Sequence, residues 1–413
     1  MTSVISKHRA TILVDGDIEL RVEDVSVTLD RNWSPYARAT IVMPIPADDI
    51  LALLDPRAGA RVTLTLFQDF GDTYRISALT QAWPLPGQLW GLTAAYPDPA
   101  TLAELSAQYR NPLNPNVSRT NSTRPLNLGI RERRIDQPQA TLTLLLASDE
   151  AMLQDLAPAG TAPVTLGLTS VRDTVEYVLD MIGATLTAGT EDDSVEVDST
   201  IWEPDVTGWD FLDSIIQKSG LRLWCDESRA WRLDDAVEVL PGTLALSYQG
   251  TLTAASDTLS RNSDGWCDAV VVKYEWTESD GTRQVAYDSA TAVGGGSKVL
   301  TVSHRDTRYP GPGAAANILR HQANRGRTVE VDAVSDYAAT PGTACVITLE
   351  DTPAQTGIVA GVTWRMPADE MRLTFRDLSD TPPGAYLLAN PAMAYDDAPA
   401  GVTYEAWTNP DGD

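Results

Sequence analysis

The stretch from Thr169 to Leu233 is the one strongly helical part of a chain that otherwise alternates in the manner of strands. It limits what the flanks can be. The same device occurs in it twice. Ser170 is followed by Asp173, then by apolar Val175, Val178, Leu179 and Ile182, and then by Gly183. Thr207 is followed by Asp210, then by Phe211, Leu212, Ile215 and Ile216, and then by Gly220. A Ser or Thr hydroxyl with an acid three residues on satisfies the orphan N–H groups of a helix start. Glycine just past the last apolar residue supplies the left-handed stop. Each predicted helix runs into a short strand pattern, Ala184 to Leu186 and Leu221 to Trp224. Two such units are too few for a solenoid. They predict one small α/β domain, 161–236, between two β-rich regions.

The first flank, 1–160, alternates apolar and polar residues at Thr11 to Val14, Val25 to Leu29, Ala39 to Val42 and Val62 to Leu66. Weaker runs follow at Tyr74 to Trp83 and Leu89 to Ala95, with Asp15-Gly16, Pro44 to Pro46 and Gly71-Asp72 as turns between strands. This spacing predicts an antiparallel barrel or sandwich, with a short surface helix over Ala47 to Leu54. Periodicity is lost over about 96–138, which reads as a long loop. There the charge reverses sign locally, with Arg110, Arg119, Arg124, Arg131, Arg133 and Arg134 against Glu132. The loop is either a solvated surface segment or a basic arm gripping an acidic neighbour. Ala140 to Leu146 returns to strand and closes the region.

Past the central domain, strands are predicted at Leu244 to Tyr248, Ala269 to Trp276, Gln284 to Tyr287 and Val299 to Val302. A helix follows over Ala314 to Asn324, stopped by Gly326. Arg327 to Ala333, Ala344 to Leu349, Gly357 to Trp364 and Met371 to Phe375 complete a second β-domain, 237–379. Residues 380–413, rich in Pro, Ala, Asn and Asp, read as a flexible tail.

Net charge of −26 and a pI near 4.4 argue against non-specific adhesion to nucleic acid or an anionic membrane, because like charges repel. Three cysteines, Cys225, Cys267 and Cys345, give neither a disulfide framework nor metal-ligand spacing, and are expected buried and reduced. Met1 to Ala10 carries no apolar core of a secretory signal, and no run reaches the roughly 18 apolar residues of a membrane span. A soluble protein is expected.

Few residues suggest catalysis. Ser303-His304-Arg305-Asp306 holds triad-type residues as sequence neighbours, whereas triad members meet in space. It reads as a polar strand end. No nucleophile signature surrounds Cys225 or Cys267. Carboxylate pairs are uninformative with 57 acids. Glu191 to Asp198 lacks the spacing of a calcium loop, and Gly294 to Lys298 lacks that of a phosphate loop. No catalytic, cofactor or metal residue is therefore expected, and the protein reads as a non-enzyme. Eleven Trp against four Phe is more telling. Trp202, Trp209, Trp224 and Trp231 are expected to build the central core, while Trp33, Tyr36, Trp83 and Trp90 are candidate anchors at subunit contacts.

Taken together, these residues resemble the tail-hub proteins of tailed bacteriophages. The run Leu29 to Val42, with Asn32-Trp33-Ser34-Pro35-Tyr36 inside it and Leu54 to Arg57 after it, is similar to the opening of minor tail proteins of phages infecting actinobacteria. Gly208 to Leu212 through Gly220, and Trp231 to Leu233, are similar to the middle of such hubs. Pro341 to Leu349, Gly357 to Trp364 and Leu373 to Leu378 are similar to a hub's second barrel. The resemblance implies a mainly β protein in which two tube-like antiparallel β-barrel domains flank a helix–strand domain. It implies a homotrimer forming a pseudo-sixfold ring that continues the tail tube at the tail tip or baseplate, assembled in the host cytoplasm. The implied partners are a distal tail ring protein, the tape-measure protein and a central fibre or spike, with DNA passing through the lumen. Hubs often carry an appended cell-wall-degrading domain, but only about 35 residues follow the second barrel, too few for one. A receptor- or glycan-binding tail protein is the alternative, and a cell-wall hydrolase a weaker one.

Overall fold

The computed structural model describes residues 7–69, 122–189, 191–247, 251–260, 266–278, 280–322, 327–349 and 353–380. The expected strands over Tyr74 to Ala95, the loop over 96–121 and the C-terminal tail lie outside them.

The first flank folds as β1 (Lys7–Val14), β2 (Ile18–Arg21), β3 (Asp24–Asp30), β4 (Ala37–Pro44), helix α1 (Asp48–Leu53), β5 (Arg61–Asp69), β6 (Ser122–Asp136), β7 (Thr141–Ala147) and helix α2 (Glu150–Asp155). Alternate residues point inward, as strand geometry requires. Val25, Val27 and Leu29 of β3 face Ala37, Ala39, Ile41 and Met43 of β4 in one dry cluster. Each of the Val, Leu, Ile and Met side chains contributes roughly 1.5–3 kcal/mol by leaving water. Strand β6 corrects part of the predicted loop. Residues 122–136 form a fifteen-residue strand pairing β5 on one side and β7 on the other. Its arginines interrupt the apolar alternation, so the sequence pattern hides it. The strand expected at Ala140 to Leu146 forms as β7, and the short helix α2, which the sequence reading did not contain, follows it.

The two helices of the central stretch follow the sequence closely. That stretch comprises β8 (Val164–Thr165), α3 (Val171–Asp180), β9 (Ile201–Trp202), α4 (Gly208–Ser219), β10 (Leu221–Cys225) and β11 (Trp231–Asp235). Ser170 Oγ accepts the Asp173 N–H at 3.2 Å, and Thr207 Oγ1 accepts the Asp210 N–H at 3.1 Å. Gly220 ends α4 with φ +68, and a Cβ there would meet Asn317 Oδ1 at 2.9 Å. The strand expected at Ala184 to Leu186 shrinks to a single bridge between Leu186 and Trp231. Asp192, in the acidic run weighed for calcium, instead accepts the Ser170 hydroxyl at 2.9 Å and the Arg172 N–H at 3.0 Å.

The remainder contains two different sheets where one β-domain was expected. Strands β12 (Leu240–Ser247), β13 (Leu252–Leu259), β17 (Arg327–Ala333), β18 (Thr343–Thr348), β19 (Gln355–Met366) and β20 (Glu370–Asp380) belong to the large sheet. Strands β14 (Ala269–Thr277), β15 (Arg283–Thr291) and β16 (Val299–Arg305) form a separate sheet in the order β15-β14-β16. Helix α5 (Ala314–Gln322) covers it with Ala314 and Ala315. Asn317 Nδ2 donates to the Gln217 and Lys218 carbonyls at 3.1 and 3.0 Å, so α5 also closes the C-terminal end of α4.

The large sheet runs β13-β17-β20-β19-β3-β4-β7-β6-β5-β1-β2, with β18 and β12 branching from β19. Its centre is the antiparallel pairing of β3 with β19, from Gly361 opposite Asp30 to Met366 opposite Val25. The two β-regions, far apart in sequence, are therefore one sheet with one hydrophobic cluster. A sheet this wide with one apolar face buries that face by curling on itself.

Candidate functional site

The candidate contact residues fall into three groups. Trp33 is exposed, at 64%, on the turn between β3 and β4, with the Arg38 guanidinium 5.7 Å from its ring centre. Trp83, Trp90 and Arg119 lie outside the described residues. The rest are largely engaged within the chain. Tyr36 is fully buried, its ring edge-on to Trp224 at 5.0 Å, because the β3–β4 turn folds back onto β10. It is a contact between regions of one chain, and so not a free anchor for a second subunit. Arg131 pairs with Asp155 at 2.6 Å, and Arg133 donates to the Leu51 carbonyl. Arg134 stays exposed at the end of β6. Of the arm's four described arginines, three are thus internal ties.

Arg124 is the most connected of them. From β6 it donates to the Tyr337 and Ala339 carbonyls at 2.7 and 2.8 Å and to Thr340 Oγ1 at 3.3 Å. Its other arm pairs with Glu227, on the turn between β10 and β11. The guanidinium also lies 5.1 Å from the Trp364 ring centre. One side chain thereby joins the first β-region, the central domain and the second β-region. Charge-assisted bonds of this kind are about twice as strong as neutral ones.

Glu150 makes a second tie. It is 1% exposed at the start of α2, and it accepts N–H groups from Tyr36 and from Cys225 (3.0 Å) and the Ser148 hydroxyl (3.0 Å). Burial pushes its carboxyl up to about 7, against the pull of the Tyr36 and Cys225 N–H groups. Neighbouring Asp149, also buried, takes Arg61 at 2.5 Å and Arg229 at 3.0 Å. Near the chain's start, His8 Nδ1 lies 2.8 Å from the Tyr337 hydroxyl, and Nε2 lies 3.2 Å from Asp369. Burial pushes the Asp369 carboxyl up, but bonds from His8 and the Ser335 N–H outweigh it and hold it at about 2.

Sequence patterning did not single out Glu150, Asp149, Glu227 or Arg222. The available signal was a charged residue inside an apolar run, as in Leu221-Arg222-Leu223-Trp224, where a strand pattern demands an interior partner. Trp224 itself is corrected. Trp202 and Trp231 lie in the central core with Trp209 packed against it, whereas Trp224 joins the core of the large sheet.

The chemical candidates do not assemble. His304, half-buried on β16, stacks on Tyr274 at 5.1 Å, and burial lowers its pKa. Cys225 and Cys267 belong to separate hydrophobic clusters. All three cysteines are buried, and burial pushes the Cys225 and Cys345 thiols up, the latter to about 12, which keeps those two protonated and inert. Among the described residues, no three His, Cys, Asp or Glu side chains converge as metal ligands, and no helix is long and apolar enough to cross a membrane.

No protein-family model and no curated protein matches this sequence. Solved structures do. The tail protein from Neisseria meningitidis MC58 superposes with a TM-score of 0.52 at 12% identity, over 90% of this chain and 97% of that one. The 43 kDa tail protein of prophage MuSo2 from Shewanella oneidensis gives 0.52 at 10% identity, over 90% and 98%. Those matches span nearly the whole of both neighbours, central domain and flanking β-regions together. The chain has the mainly β fold of phage tail proteins.

Proposed function

We propose that this protein is a structural hub of a phage tail tip or baseplate, a virion component that forms a homotrimeric ring continuing the tail tube. The observation that carries this reading is the β3–β19 pairing, which makes two β-regions of one chain a single sheet. A subunit that already holds two such regions edge to edge offers six in three copies, the number a pseudo-sixfold ring requires. The fold shared with the two tail proteins supports the same placement. In this reading a distal tail ring protein sits above, the end of the tape-measure protein inside, and a central fibre or spike below.

The charge fits passage of DNA. Each basic contact in a lumen adds salt-dependent affinity for phosphate and slows transit, so a channel wall carrying this chain's acidic excess repels its cargo. A ring map with a basic channel would count against that part of the reading.

The test is the mass of the purified protein by light scattering at moderate salt, alone and with the adjacent tail proteins. A species near three times 44.6 kDa is expected. A strict monomer under both conditions overturns the ring, and binding of that monomer to a host glycan would favour a receptor-binding tail protein.

A further inference from the structure

Between the β3–β4 turn and α4 lies a cavity of about 350 Å³, with Arg31, Trp33, Trp209, Asp213, Gln217 and Arg222 among its lining residues. That volume suits a small ligand. The polar lining is unbalanced. Arg31 is only 6% exposed, yet among the described residues its one side-chain hydrogen bond is from Nη2 to the Ala236 carbonyl at 3.3 Å. Its Nε and Nη1 are buried with no hydrogen-bond partner among the described residues, Nη1 lying against Gly342. Arg222 pairs through its backbone in the β10–β11 ladder, but its side chain forms no hydrogen bond or ion pair among the described residues. Its guanidinium lies 4.8 Å from the Trp224 ring centre and 5.6 Å from that of Tyr36.

The neighbouring carboxylates are engaged elsewhere. Asp213, the one acid in the lining, takes the Gln217 amide at 2.5 Å, and burial pushes its carboxyl up to about 6. Asp234 accepts the Trp224 indole N–H at 2.9 Å, and Glu150 already holds three donors. Glu238 is near enough to favour the charged form of Arg31 but makes no ion pair with it. Burial lowers the pKa of Arg31 to about 9 and of Arg222 to about 10, and Arg376 opposes the charge on both. A buried guanidinium without a counter-charge is costly, and the missing complement is an anion.

We propose that this cavity is a binding site for a compact oxyanion, a phosphate or a carboxylate, held by Arg31 and Arg222 with Trp33 at its mouth. Guanidinium donors match both groups, and the strongly acidic remainder of the chain offers such an ion few other places to bind. The site is independent of the ring reading, since it lies within one chain.

The test is titration of the whole protein with inorganic phosphate and with succinate, against chloride at equal ionic strength. Tryptophan emission and thermal midpoint are followed, since Trp33 and Trp209 line the cavity. A saturable response to either anion is expected, and which anion responds identifies the preferred oxyanion. Arg31→Met and Arg222→Gln are each expected to weaken it at least tenfold. Asp213→Asn, which removes the opposing charge, is expected to tighten it several-fold at pH 7.5, and serves as the reporter if an arginine variant fails to fold. No saturable response from the wild type to either anion overturns the proposal. So does unchanged affinity in Asp213→Asn or in a folded arginine variant.

Discussion

Arg124 and Arg31 sit at the same meeting of three regions and are treated oppositely by the fold. Arg124 has two carbonyls, a hydroxyl, a carboxylate and an aromatic face around it. Among the described residues Arg31 has one carbonyl, with two of its buried nitrogens unfilled. The first arrangement ties the β-regions and the central domain together. The second leaves a charged cavity. The contrast shows that a buried arginine is not in itself a stabilising element; its surroundings decide the sign of its contribution.

The largest effect expected is from Arg124→Met. It strands Glu227 and breaks the tie between β6 and the segment 337–340, and should cost about 3–5 kcal/mol in a denaturant unfolding measurement. A loss below 1 kcal/mol would erase the contrast. Glu150→Gln should cost about 1–3 kcal/mol, because an amide NH₂ then faces the N–H groups that the carboxylate accepts. It also changes the pH profile. With its folded pKa raised from 4.5 to about 7, Glu150 contributes stability that is present below pH 4.5 and fades as pH rises through about 7. Stability measured across that window should fall in the wild type and fall less in Glu150→Gln.

Arg31→Met sharpens the comparison from the other side. Removing an uncompensated buried charge should change stability by less than about 1 kcal/mol in anion-free buffer, and a gain is compatible with this account. A loss as large as that of Arg124→Met would show that Arg31 is equally well matched. The smallest effect is at Trp33. As an exposed turn residue, Trp33→Ala should leave the thermal midpoint within the roughly 0.5 kcal/mol scatter of surface changes. Under the ring reading it would instead reduce the trimer fraction seen by light scattering.

The sequence determined the elements whose signals are local. Both helices of the central domain begin at their Ser170 and Thr207 caps, and α4 stops at Gly220, because capping and left-handed stops involve atoms within a few residues. Most described strands of the first flank were visible as period-two alternation. Strand β6 was not, since its arginines point to partners that alternation cannot represent. Helix α2 was hidden although the equally short α1 was legible, because α1 is set off by Pro44 and Pro46 whereas α2 follows strand β7 with only Ser148 and Asp149 between. The separate β14–β16 sheet was invisible as such, because alternation identifies a strand but not the sheet it joins.

Only the tertiary structure could decide the pairings. Nothing in Val25 to Asp30 announces that its neighbour is Gly361 to Met366, more than three hundred residues on. The same holds for the arginines. A sequence gives the charge of Arg124 and Arg31 equally, whereas the distance to a carboxylate is a property of chain segments brought together by burying apolar faces. Local chemistry wrote the helices and strands, and hydrophobic burial across long separations chose which charges found partners.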